Sequence, residues 1–496
     1  MAWRSLALIA VLAMVAVSTS GAEQVIPAQQ ILAKLAINEP VYYDSIRVLG
    51  DLDLKTLPDV RVSNSFTLTN SILINASFDG ITFAKDAVFW GTTFGNASFK
   101  NAAFLGQTDF ANASFGNACF SAATFAQPAF FDGALFRYNV SFADAVFAKD
   151  AFFNEARFLA DANFNYSDFA SYSYFADAQF LGDALFSDID FSGALNFSAA
   201  TVSGRANFFQ SRFSSADFSN AVFSGPVQFG LASFSGLTSF GEAIFADEAV
   251  FSLARFAQAA YFSGAEFQKD ALFGLTKFQD MASLQSAKFE GDLNFKGASI
   301  STMLLDKAEF RKDSHIILND TDFARFKAHW NEIEEHVVWD QGAYLALVNN
   351  YHGLGWSADE DDCYYQYRGL NQEKKQWGWS KAIDLLAWLS CGYGVRPGYA
   401  VAWSLLTILA FALVFWRGDG IRRSAKPLNE AAEEDSIPER VTLRNALFFS
   451  TMVFLSQGPI DFLPVGRHRY IVIFEGILGW LLLALFLVTL GRVMIR

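Results

Sequence analysis

Residue types that bind metals or act as nucleophiles are few and scattered in this chain. Cys119, Cys363 and Cys391 are far apart, odd in number and outside any CxxC spacing, so all three are expected to be packed thiols rather than disulfide or zinc partners. His329 and His336 stand seven apart, a spacing that would share a helix face, but a solvated or capping role is the expected one. The acidic run Asp359 to Asp362 could hold calcium, yet it lacks the alternating ligands and central glycine of a calcium loop, and a negatively charged helix N-terminus is the simpler reading. No Ser/His/Asp set, carboxylate pair or metal constellation marks an enzyme, and no cofactor is expected. Two features remain. The polar turn Ser456, Gln457, Gly458, Pro459, Ile460, Asp461 stands between apolar stretches, and Glu475 is a lone carboxylate inside an apolar run, where it is costly unless it is partnered.

The elements around these residues are apolar helices. Residues 398–416 are uncharged and long enough to span a bilayer, and 470–491 form a second span interrupted only by Glu475. A charged link, 417–440, and a re-entrant segment, 441–469, lie between them; its helix "VTLRNALFFSTMVFL" is too short to cross. The basic residues Arg417, Arg422, Arg423, Lys426, Arg440, Arg444, Arg467 and Arg469 all fall between the spans, which assigns that side to the cytoplasm. Glu475 could pair with Arg444 or Arg467 to support the turn, or stand close enough to water to need no partner. Gly476 and Gly479 would permit close helix approach, which subunit assembly would use.

Upstream, residues 377–397 carry Trp377, Trp379 and Trp388 beside Lys381, the marks of an interfacial helix followed by a turn. Residues 326–376 read as a helical connector, an antiparallel pair with Gly353 and Gly355 at the break and Ser357 capping the second helix. The first residues, 1–22, have Arg4, an apolar run from Leu6 to Val17 and a small polar end at Gly21-Ala22, the form of a secretory signal. Asn-x-Ser/Thr sequons at Asn75, Asn96, Asn112, Asn139, Asn165, Asn196 and Asn319 suit an exported surface. The net charge of −14 excludes a nucleic-acid partner for the whole chain, since such binding rests on clustered Lys and Arg.

Phenylalanine, at 54 copies, dominates the middle of the chain. From Phe229 blocks of eleven follow one another, "FGLASFSGLTS", "FGEAIFADEAV", "FSLARFAQAAY", each with Phe first and sixth; Phe89, Phe94, Phe99 and Phe104 keep a purer step of five. Small residues such as Ala97 and Ala113 sit two before the Phe. A five-residue period fits neither helix nor flat strand, but it fits a coil with four sides that turns every fifth side chain inward, with an added residue at alternate corners. The period makes these phenylalanines structural rather than a ladder for stacking ligands. Residues 23–77, a short helix and then strands, would cap the coil's open end.

These residues carry two resemblances. Residues 78–325 resemble the pentapeptide-repeat family in its phenylalanine-centred form, which implies a right-handed quadrilateral β-helix. Residues Ala446 to Arg492 resemble the two-transmembrane potassium-channel family in plan, with a pore-helix start, an Asp-x-x-Pro after the turn and a final helix bearing Glu and Gly. That family's filter falls on Ser456, Gln457, Gly458, Pro459, Ile460 and Asp461, where Gly458 and Asp461 are kept and Pro459 and Ile460 depart. Proline fixes φ near −65° and β-branched Ile disfavours positive φ, so stacked carbonyl rings cannot form and the filter is degenerate. The nearby "SCGYG", Ser390 to Gly394, is closer to a potassium filter in letters, but no spanning helix precedes it, and it reads as a turn. The expected fold is thus a pentapeptide-repeat solenoid followed by an α-helical connector and an α-helical pore-like module. Two functions follow: a weakly selective cation channel, homo-oligomeric and tetrameric if it conducts, with the repeat domain extracytoplasmic on the cell membrane; or a membrane-anchored β-helix that is structural or binds an extracytoplasmic protein, its pore module vestigial. The lipid bilayer is a partner in both.

Overall fold

The computed structural model describes residues 24–57, 60–423, 441–458 and 462–494, which divide into two compact units, 1–338 and 339–496. The proposed signal segment 1–22, residues 424–440 of the link, and Pro459, Ile460 and Asp461 of the turn lie outside the described residues.

The first unit is a parallel β-solenoid. Short strands stack coil on coil, so that Phe94 faces Phe115, Phe125 faces Phe147 and Phe147 faces Phe169. The pentad phenylalanines from Phe78 to Phe295 that the period singles out are buried, and the alanines two before them, Ala97 and Ala113, fill the remaining interior. Inside, the rings form stacked columns. Phe78, Phe99, Phe120 and Phe142 lie at 4.7 to 4.8 Å with ring planes within 8°. Neighbouring columns meet edge to face, as in Phe120 against Phe131 at 5.4 Å and 88°. Each buried ring contributes roughly 1.5–3 kcal/mol before ordering entropy is subtracted, and the alternation of stacked and T-shaped contacts suits the ring quadrupole.

The corners explain the step. Every second corner is a tight turn: Thr92 N donates to Phe89 O (3.1 Å) and Gly91 between them is left-handed (φ 65°). The same position holds Asn101, Asn112, Asp144 and Asp177, all with positive φ, which Asn and Asp tolerate best after glycine. The other corners hold the extra residue and make the phenylalanine step six. Where that residue is missing, as between Phe94 and Phe99 or Phe213 and Phe218, the two strands fuse into one straight strand, Thr93–Ser98 or Arg212–Asp217.

The solenoid begins earlier than the phenylalanine step. Gln24–Pro27 pairs with Ile46–Leu49, and Val41–Asp44 with Phe66–Thr69, all in parallel, so much of the stretch expected to be a separate cap is already ladder; α1 (Ala28–Ala36) and a 3₁₀ turn at Leu54–Thr56 stand outside it. Aliphatic Ile46, Val48 and Leu73 replace Phe in these coils, which hides them from the period. At the other end Asp322–Lys327 is the last full strand and α2 (Trp330–Ile333) is a single turn. His336 leaves it to stack on Phe310 (5.2 Å) and bond Ser314 O (2.9 Å), so His329 and His336 share no helix face.

The second unit is helical: α3 (Gln341–Leu354), α4 (Ser357–Lys374), α5 (Trp379–Cys391), α6 (Pro397–Arg417), α7 (Leu443–Phe454) and α8 (His468–Met494). Gly355 ends α3 in the left-handed conformation (φ 72°), whereas Gly353 stays inside the helix. Ser357 is the first residue of α4 rather than its cap; the cap is Trp356, and the acidic Asp359 and Glu360 sit in the first turn, where the helix dipole favours them. Among the described residues two helices are long and apolar enough to cross a membrane, Pro397–Arg417 and His468–Arg492.

Candidate functional site

The chemistry-bearing residues of the second unit gather around α7. Its first turn is capped by Thr442, whose hydroxyl accepts from Asn445 N (3.3 Å). Ala446 and Phe449 pack into a cluster with Ala412 and Phe415 near the end of α6, joined by Ile471 and Val472 from the start of α8. One turn on, Ser450 reaches Ile408 O of α6 (2.9 Å). At the end of α7, Phe454 O lies so close to Gly479 that a Cβ there would sit 2.4 Å away. The helix therefore descends beside α6 and α8 to about the middle of α8. The chain then returns, because Phe462–Pro464 pairs antiparallel with Ile421–Arg423 just after α6. A short helix that enters and a strand that comes back to the same end make a re-entrant segment.

Glu475 is fully buried here. Its Oε1 accepts a hydrogen bond from the Ser450 hydroxyl, so one side chain ties α6, α7 and α8 together. The carboxylate makes no ion pair among the described residues; Arg444 and Arg467 are both exposed and stand apart from it. Its Oε2 has no hydrogen-bond partner among the described residues. Ser450 was the partner to look for: it and Glu475 are isolated polar residues in apolar helices, and in such surroundings each is the other's cheapest partner. Of the two glycines of α8, Gly479 receives the end of α7.

Of the polar turn, Ser456, Gln457 and Gly458 are described, and all three are exposed. Ser456 is left-handed (φ 57°) and bonds back to Val453 O (2.9 Å), while Gln457 N donates to Met452 O (2.9 Å), so the turn unwinds from the end of α7. The three residues line one end of an open groove of about 510 Å³ whose walls include Val472, Ile473, Gly476 and Trp480 of α8. The groove is apolar along α8 and polar at the turn.

A second polar cluster holds α5. Asp384 bonds Lys375 Nζ (2.5 Å) and Arg368 Nη2 (2.7 Å), and these partners, the lysine first, hold its carboxyl below the ordinary range. The opposite face of α5 shows Trp379, Ile383, Leu386 and Leu389 to the outside, with Trp379 88% exposed. The "SCGYG" stretch forms the end of α5 and a tight turn, with Gly392, Tyr393 and Gly394 all left-handed and Tyr393 packed against Tyr365 (5.7 Å). It is a helix connection. Cys363 is buried beside Tyr344 O, and burial pushes its thiol up out of the reactive range. Among the described residues no group of three or more His, Cys, Asp and Glu could hold a metal ion; in the acidic run Glu360 meets His352 (3.2 Å) and Asp362 meets Arg396 (2.6 Å).

Residues 110–157, 145–190 and 218–266 match the family described as Pentapeptide repeats (9 copies). These stretches of the solenoid are similar to pentapeptide repeats. In the matched stretches buried Phe columns and left-handed turns recur coil after coil. No curated protein matches the chain.

Proposed function

We propose that the helical unit is one subunit of an oligomeric membrane pore, weakly selective for cations, carrying a right-handed pentapeptide-repeat solenoid outside the cytoplasm. The observation that carries this reading is the re-entrant path: α7 stops about halfway along α8 and the chain returns to pair with Ile421–Arg423. A simple anchor needs two spans and a loop; it has no use for a half-length helix locked between them by Ser450 and Glu475. In the pore, Ser456, Gln457 and Gly458 of each subunit would face a common axis, and the groove along α8 would take the neighbouring subunit. Without stacked carbonyl rings the constriction is wide enough for a hydrated ion, and Asp461 gives it cation preference.

The purified protein, its tetrameric state verified, is to be reconstituted in planar bilayers. The expected result is a cation-preferring conductance that Gln457→Ala alters in ion preference or unitary size. Absence of conductance in a verified tetramer would leave the membrane-anchored solenoid as the function. Protease accessibility of the 417–440 link in intact cells tests the orientation separately: the basic residues there require it to be protected.

A further inference from the structure

The core period accounts for Phe131 and Phe153 but not for Phe130 and Phe152 just before them, which lie on the outer side of the wall and are only half-buried. In register, Phe130 stacks on Phe152 (4.9 Å, 4°) and Phe152 on Tyr174 (4.9 Å, 3°). The column then breaks off. The next positions in register are Asn196, Asp217 and Ser239, and aromatic character returns only at Tyr261. The free face of Tyr174 therefore opens onto a notch of about 490 Å³, with Tyr261 at its other end and Tyr172, 53% exposed, beside Tyr174. Four coil spacings separate the two end rings, on the order of 19 Å. The notch lies where two long strands, the bulged Asp190–Asn196 and the straight Arg212–Asp217, run through a position that is a projecting corner in other coils.

Its polar groups are left over from folding. Asn196 Oδ1 accepts from Ser198 N (3.0 Å) and Ser198 Oγ (2.7 Å), which orients the amide and leaves the Nδ2 donors without a partner among the described residues. One coil on, Asp217 Oδ1 accepts from Ser219 N (2.9 Å), and its other oxygen is likewise unused among the described residues. A second notch, of about 430 Å³, has the same setting but not the same chemistry: Asn117, Asn96 and Asn75 donate to one another in series and finally to Asp51, at 2.7 to 2.8 Å, and no ring lines it.

We propose that the notch between Tyr174 and Tyr261 binds a short neutral oligosaccharide. A pyranose presents an apolar C–H face, which stacks on an aromatic ring, and adjacent hydroxyls that each donate and accept, which suit a free donor on Asn196 beside a free acceptor on Asp217. A nucleic acid would meet a carboxylate and no basic side chain. An added peptide strand would find no edge, because the long strands are already paired with coils on both sides. The site does not depend on whether the helical unit conducts.

The test uses the full chain in lipid nanodiscs, which avoid sugar-based detergents, titrated calorimetrically with cellotetraose, chitotetraose and maltotetraose. At least one is expected to bind saturably; Tyr261→Ala and Asn196→Asp should each weaken it about tenfold or more, a loss of about 1.4 kcal/mol. Neither variant disturbs a stacked column or the Ser198 bonds, so unfolding temperatures should stay unchanged. Asn96→Ala in the other notch should leave binding as it was. Failure of all three sugars to saturate, or undiminished binding by Tyr261→Ala and Asn196→Asp together, overturns the proposal.

Discussion

The Ser450 hydroxyl donates to the Glu475 carboxyl between two apolar helices, with neither residue exposed, and the same hydroxyl lies 2.9 Å from Ile408 O on a third. Three helices thus share one polar junction in an otherwise apolar bundle. Ser450→Ala would leave a buried carboxyl with no partner and should cost about 1–3 kcal/mol. Glu475→Gln should cost less, because an amide oxygen can still accept from Ser450. Thermal unfolding of the helical signal in detergent measures both; equal stability of Ser450→Ala and the unaltered chain would show that the junction does not hold the re-entrant helix in place.

Phe152 and Phe153 are adjacent in sequence and opposite in role, one on the outer wall and one in the core. Phe153→Ala removes a ring stacked on Phe131 (4.7 Å) and Phe175 (4.8 Å) and should destabilise by about 3–5 kcal/mol. Phe152→Ala should cost distinctly less. Because each coil touches only its neighbours, the loss should also be local. Hydrogen exchange should show faster opening of the coils around residue 153 with distant coils unchanged, and the reverse order of the two variants would contradict the inward assignment of the period.

Asp384 makes the attachment of α5 sensitive to acid. Its folded value lies below the ordinary 3.8, chiefly through the Lys375 hydrogen bond, so the stabilisation is fully present above about pH 4 and is lost as pH falls through the lowered value. The fluorescence of Trp379 and Trp388, on the helix that Asp384 fastens, should change only below pH 4 and reversibly. In Asp384→Asn the same change should already be present at neutral pH and show no acid transition.

Much of this architecture was legible because burial imposes a fixed step. Phe89, Phe94 and Phe99 have only one way to reach a common interior, and the sixth residue at alternate corners follows from the same geometry. The coils before Phe78 were not legible as solenoid, since Ile46, Val48 and Leu73 fill the core without repeating one letter. Phe130 and Phe152 were not singled out for the opposite reason: the inward period says nothing of outward positions, and the doublets Phe130-Phe131 and Phe152-Phe153 are the sign that one ring of each pair lies outside it. In the helical unit, the two long apolar helices and the short one between them could be read from length and hydropathy, whereas the partner of Glu475 could not. Charge suggested Arg444 and Arg467, but both are exposed, and the bond goes to the small Ser450 in the middle of an apolar helix.

The ring columns of the solenoid have one more implication. Since every coil presents nearly the same cross-section to the next, a whole coil can be gained or lost in evolution without forcing its neighbours to repack, provided the reading frame of corners is kept. The length of the solenoid is then set by copy number, like beads on a wire.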